Sequence, residues 1–225
     1  MSVRDIANLW KAQTIWAAGA PAYLLACNGP IDNSSEPEQA FAAESPYYQR
    51  RLIAPIYATD TIELRAEASI SDSFTAVGGT LIYDRVVIVF NGSPNAPAIF
   101  TDSDIDIATN VITIASHGLS NGDPVLVNTS AGSTMPGGLT AGVIKYVEAV
   151  NADTLKLYDE YNESTLTNPV NFTSPGSGTL RLHYCQGTIW HVVEMPSPET
   201  LGPGASIPVN LDLYSQKGAP TVIGV

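Results

Sequence analysis

Ser116-His117-Gly118-Leu119-Ser120-Asn121-Gly122-Asp123-Pro124-Val125-Leu126-Val127 reads as a turn running into a strand. Gly118 and Gly122 permit backbone conformations closed to residues with a Cβ. Asp123-Pro124 ends the turn before the apolar run Val125–Val127. Every special residue here shapes the backbone, so the stretch specifies a fold and not a reaction.

The same style continues on both sides. Asn110-Val111-Ile112-Thr113-Ile114 precedes the turn. Gly137-Gly138-Leu139-Thr140-Ala141-Gly142, the strand-like Ile144–Val150, a turn at Asn151-Ala152-Asp153 and the strand-like Thr154–Tyr158 follow it. The loop Ser174–Gly178 and then Thr179–Leu182 close the segment. Short strands with a turn signal every roughly 8–12 residues predict a small β-barrel or an immunoglobulin-like β module over 103–182.

Outside that segment the pattern is also β. Leu52–Tyr57 and Thr61–Ala68 alternate apolar with polar residues, as half-buried strands do. Ile82–Phe90 is apolar on both faces in its second half, so it should be a strand that is central or covered on both sides. Gly187–Met195 resumes the style, Leu201–Ala205 makes a tight turn, and Ser206–Tyr214 alternates as a final strand. The predicted fold is therefore all-β. A parent domain of 1–102 and 183–225, β-sandwich or jelly-roll-like, is interrupted by the module at 103–182. Removing the insert leaves Val86–Phe90 and Thr188–Glu194 as the two arms of a hairpin. The parent should begin with a helix over 2–18, where Val3, Ile6, Leu9, Trp10 and Ala17 share a face and Gly19 and Pro21 stop it. Residues 28–48, broken by Pro30, Pro37 and Pro46, read as a long loop or arm.

Charged residues make up 14% of the chain, against roughly 25% in an average domain. A charge-poor chain suits turn-rich β structure and a surface covered by neighbours; an ordinary sandwich with a Ser/Thr/Asn-rich surface has the same composition. The net charge is −12 and the ten Lys and Arg are scattered, with only Arg50-Arg51 adjacent. Without clustered cations to displace counterions, nucleic acid is not expected as a partner. Nor is an anionic membrane; a positively charged protein surface stays open. No signal-peptide core follows Met1, and the apolar run Pro21–Cys27 is too short to span a bilayer. Synthesis in the cytoplasm without a secretion signal is the expectation. Cys27 and Cys185 fit no metal spacing and should be buried free thiols.

Catalytic chemistry finds little footing. His117 lies in the turn motif and His191 in an apolar strand, and His183 completes the set; no nucleophile elbow or triad context accompanies them. Phosphate-loop, dinucleotide and zinc-protease motifs are absent. Asp102, Asp104 and Asp106 would share one face of an extended strand. Counted from Asp102, however, Ile107 and Thr113 stand where a calcium-binding EF-hand loop needs Gly and Glu. The three read more simply as a solvated linker leading into the insert. No catalytic residue, cofactor or metal is expected.

HGLSNGDPVLV, then MPGGLTAG, IKYVEAVNADTLKLY and GSGTLRL, together resemble a β module that recurs in tailed-bacteriophage virion proteins. Such modules carry H-G-L-x-x-G-D-x-V, then L-P-G-G-L-x-x-G, a Y-Y-V-like strand, and T-x-x-L before a Gly-Thr-Gly turn. The likeness covers residues 110–182. Met135-Pro136 stands where Leu-Pro is usual, and Lys145-Tyr146-Val147 where Tyr-Tyr-Val is usual. Glu199–Leu211, with its Leu-Gly-Pro-Gly turn before a strand, looks like an ending common in phage tail, collar and head-decoration domains.

The resemblance implies a non-enzymatic structural protein of the virion. Capsid decoration (cement) comes first, with the parent domain and the 28–48 arm binding major capsid protein or other virion subunits and the insert facing outward. A homotrimer would match local three-fold positions. A tail, collar or fibre/adaptor component is the structural alternative. Polysaccharide cleavage by two carboxylates is the enzymatic one, but depolymerising tailspikes resembling this class are long repetitive β-helices, and no repeat is visible here. A carbohydrate-binding module would use surface aromatics of the insert such as Tyr158 and Tyr161. Trp10, Trp16, Tyr47 and Tyr48 could also stack on sugars, although their place near the helix and arm suits packing better.

Overall fold

The structure, a computed structural model, describes residues 21–33, 35–53, 56–60 and 65–215. The helix expected over 2–18 lies outside the described residues, as do Trp10 and Trp16. In chain order the elements are β1 (Ala22–Cys27), α1 (Pro37–Ala43), β2 (Arg51–Ile53), β3 (Ile56–Asp60), β4 (Arg65–Thr75) and β5 (Leu81–Phe90). They continue with β6 (Ala98–Thr101), a 3-10 turn at Asp102–Asp104, β7 (Ile105–Asp106), β8 (Val111–Thr113), β9 (Pro124–Thr129) and β10 (Ile144–Ala149). The last are β11 (Thr154–Asn162), β12 (Thr165–Pro169), β13 (Thr179–Tyr184), β14 (Thr188–Leu201) and β15 (Ser206–Ser215). The fold is all-β, with antiparallel sheets and one short helix among the described residues.

Two compact units divide the chain. One comprises 1–34, 47–94 and 187–225; the other comprises 35–46 and 95–186. In the first unit one sheet runs β14-β5-β1-β2 and a second runs β15-β4-β3. β1 is buried along its whole length because β5 and β2 flank it. β5 is central too, with Val86–Phe90 buried on both faces. Phe74 of β4 meets the rings of Tyr48 and Tyr83 edge-on, each at 5.3 Å, and so joins the two sheets of this unit. Across the insertion point Phe90 stands opposite Thr188 and Arg85 opposite Glu194, so the insert occupies the place of a hairpin turn between β5 and β14.

The second unit is one sheet in the order β6-β13-β9-β10-β11-β8-β7, with β12 added to the far end of β11. Its two terminal strands, β6 and β7, are separated in sequence only by the 3-10 turn. The sheet therefore has to curl back so that its two ends approach each other, giving a rolled, barrel-like sheet. All seven strands contribute to one core: Phe100, Ile105, Ile112, Val125, Val127, Val147, Leu155, Leu157, Leu180 and Leu182 are buried together. α1 packs on the outer side of β9 and β13. There Leu126 and His183, in register and pointing away from the barrel core, are both fully buried.

Three expectations change. The insert begins at Asn95 and ends at Gln186, not at 103 and 182, because β6 pairs along β13 from Ala98 to Thr101. The 28–48 arm is not a single loop. Residues 35–46 belong to the barrel unit and contain α1. Pro37 does not break this helix, since it occupies the first turn, where no N–H bond is needed. Gln39 Oε1 accepts the Glu36 N–H at 3.0 Å and closes the helix start.

Candidate interaction surface

The motif is a clasp made from its own side chains. The Leu119 N–H donates to His117 Nδ1 at 3.0 Å, so the ring proton sits on Nε2, which donates to the Asn151 carbonyl at 2.9 Å. The Tyr184 hydroxyl donates to the His117 carbonyl at 3.0 Å. Asp123 accepts from the Ser120 N–H at 2.8 Å, and Asn121 Oδ1 from the Ala149 N–H at 2.8 Å. Asp153 accepts from the Ser116 N–H at 2.8 Å. The side chains of His117, Asn121, Asp123, Asp153 and Tyr184 are thus each turned toward a backbone group, and the loops after β8 and β10 are sewn to each other. Gly122 has a φ of 87°, and its Cα lies beneath the Tyr161 ring, where a Cβ would collide.

The other candidate residues are scattered. Asp102, Asp104 and Asp106 do not share a face, because the chain coils into the 3-10 turn at this point. Asp104 accepts from the Thr101 N–H at 2.7 Å, Asp102 from the Gly178 N–H at 3.2 Å, and Asp106 from the Ala108 N–H at 2.9 Å and the Thr109 hydroxyl at 2.7 Å. The Thr109 hydroxyl, followed by the Ala108 N–H, holds the Asp106 carboxyl below its ordinary pKa. No group of three or more His, Cys, Asp or Glu among the described residues could hold a metal ion. His183 is buried on β13 and His191 half-buried on β14. Cys27 and Cys185 are buried free thiols. Tyr48 is buried, and its hydroxyl oxygen accepts the Ala26 N–H at 3.0 Å. The Tyr47 ring packs against Gly79.

Tyr158 and Tyr161 separate. Tyr161 covers Gly122 and stands 6.0 Å from the Tyr146 ring. Tyr158 lies on the outer face, opposite in phase to the buried Leu155 and Leu157. Register places Pro124 of β9, Tyr146 of β10, Tyr158 of β11 and Pro169 of β12 side by side. Directly opposed residues in antiparallel strands project to one side, so two prolines and two tyrosines stand in a row of register positions across four strands. Glu148 and Glu160 flank the row, and Lys156 stands opposite Glu148. The Tyr158 hydroxyl donates to Glu148 Oε2 at 2.7 Å, and this bond, then burial, raises the Tyr158 pKa above the usual phenol value. Tyr146 does not stand out in the sequence. Its signal is the alternation Ile144-Tyr146-Glu148 against the apolar Val147, which acquires meaning only once the register with β11 is known.

Charge is distributed unevenly. Residues 35–46 and 95–186 carry twelve Asp and Glu against Lys145, Lys156 and Arg181, a net of −9 out of the chain's −12. Lys145 is paired with Asp159, and Arg181 is bonded to the Ser130 hydroxyl. No helix among the described residues is long and apolar enough to cross a membrane. No protein-family model, no curated protein and no solved structure matches the chain.

Proposed function

We propose that the chain is a non-enzymatic structural subunit of a tailed-phage virion, and that its first role is capsid decoration, binding and stabilising neighbouring major capsid subunits. The observation carrying this reading is the clasp. The HGLSNGDPV residues that resemble phage virion modules hold their own loops together, as a motif kept for architecture would. The low fraction of charged residues, 14%, supports a surface covered by neighbours. Copy number tests the role: quantitative mass spectrometry of intact particles should find on the order of hundreds of copies, and fewer than about sixty would sink the decoration role.

A tail, collar or adaptor position is the second reading, and one observation favours it. The outer half of β11 pairs only with β12, which makes a two-stranded hairpin whose residues are mostly exposed. Such a hairpin suits contact with another surface. A tail component would be present in a few to a few dozen copies.

A further inference from the structure

The outer face of β9–β12 has a composition suited to one kind of ligand. We propose that this face docks a cationic, Lys- or Arg-bearing segment of a partner protein, held against the Tyr146 and Tyr158 rings and between the Glu148 and Glu160 carboxylates. That the partner is another virion subunit rests on the reading above; the chemistry of the face does not.

Aromatic faces carry negative electrostatic potential and attract ammonium and guanidinium groups. The hydrogen bond from the Tyr158 hydroxyl to Glu148 pushes electron density into that ring and fixes its orientation. Glu160 lies two residues along the same strand and the same face, and accepts from the Thr167 hydroxyl at 3.0 Å. Both carboxylates are thus held in place before a ligand arrives. Pro124 and Pro169 end the row with rigid rings that lose no rotamer freedom on contact. Four strands at about 4.8 Å spacing make a row about 14 Å across, the length of four or five extended residues. The net of −9 on this unit repels polyanions and favours a basic segment. Lys156, opposite Glu148, is the one cation on the face and competes with the incoming charge.

The test titrates the full-length protein with a labelled oligolysine peptide of about eight residues, reading anisotropy across ionic strength. An oligoglutamate of equal length and a neutral chito-oligosaccharide are run in parallel. Oligolysine should bind, more weakly as salt rises. E148Q with E160Q should weaken binding at least about tenfold, Y146L about three- to fivefold, and K156Q should tighten it. E38Q with E163Q, which removes the same charge elsewhere on the unit, should change affinity less than twofold. The proposal is overturned by equal weakening in E38Q/E163Q, by loss of affinity in K156Q, or by salt-insensitive sugar binding that Y146L abolishes. If Y146L loses its cooperative melt, the isosteric glutamine variants and K156Q decide alone. Particle copy number is unaffected by any of these results, so failure here leaves the virion role standing.

Discussion

Gly118 and Gly122 sit in one turn and share a left-handed backbone, with φ of 66° and 87°, yet substitution at the two should cost different amounts. A Cβ at Gly118 finds its nearest neighbour, Asn95 Nδ2, at 3.6 Å, so Gly118→Ala should cost only the backbone penalty, about 1 kcal/mol. At Gly122 the Tyr161 ring must also move, and Gly122→Ala should be the more destabilising in chemical denaturation. Tyr83 offers a pH test. Its ring is buried, its hydroxyl has no hydrogen-bond partner among the described residues, and burial followed by the charge of Glu199 pushes its pKa to about 12. A folded value above the unfolded value of about 10 means its contribution is complete below about pH 10 and is lost as pH climbs to about 12. Tyr83→Phe should remove that alkaline loss and, at neutral pH, leave stability unchanged or raised by about 1 kcal/mol. Asp106 behaves in the opposite sense. Its lowered value supports the fold above the unfolded carboxylate pKa of about 3.9, and the support fades as pH falls through the folded value. Asp106→Asn should flatten the acid limb of a melting-temperature profile.

α1 supplies a lid for one side of a barrel whose strands come much later in the chain. Phe41 is fully buried, and Asn128 of β9 donates to the Ala42 carbonyl at 2.8 Å. Phe41→Ala should cost about 3–5 kcal/mol, read as a lower denaturation midpoint, with the loss appearing in hydrogen exchange of β9 and β13. The sequence does not reveal this helix, because Pro30, Pro37 and Pro46 all read as breakers, and the position of Pro37 in the first turn reverses its meaning. The strands are legible where alternation meets a turn residue, as at Asp123-Pro124 before β9 and Asn151–Asp153 before β11. What alternation does not convey is pairing. Tyr158 is recognisable as a surface aromatic, but its alignment with Tyr146 depends on register between β10 and β11, and a slip of one residue would reverse every face. The long edge strand β14 carries Pro196 and Pro198 where its register with β5 shifts, and the edge strand β15 carries Pro208. Proline at an edge removes donors that would otherwise recruit a foreign strand.

At the scale of the molecule, the insertion joins a discontinuous unit to a nearly continuous one. Sequence pattern alone puts the N-terminal junction at 103, later than the Asn95 of the structure, because nothing within 95–101 marks the change of unit until the pairing of β6 with β13 is seen. Replacing residues 92–187 with a short turn should leave β5 and β14 able to pair, since Phe90 already faces Thr188. The expected product keeps a β-type circular dichroism spectrum and a cooperative melt; an unfolded product would show that the parent unit needs the barrel to fold.

The same pairing determines what happens under tension. A force that draws β5 and β14 apart is borne by the hydrogen bonds they share. Traction on the barrel across its insertion points loads β6 and β13, adjacent antiparallel strands that unzip bond by bond from Ala98 and Leu182 inward. Traction across residues 95 and 186 should therefore open the β6–β13 pair first and release up to on the order of a hundred residues of slack, with β5 and β14 still paired.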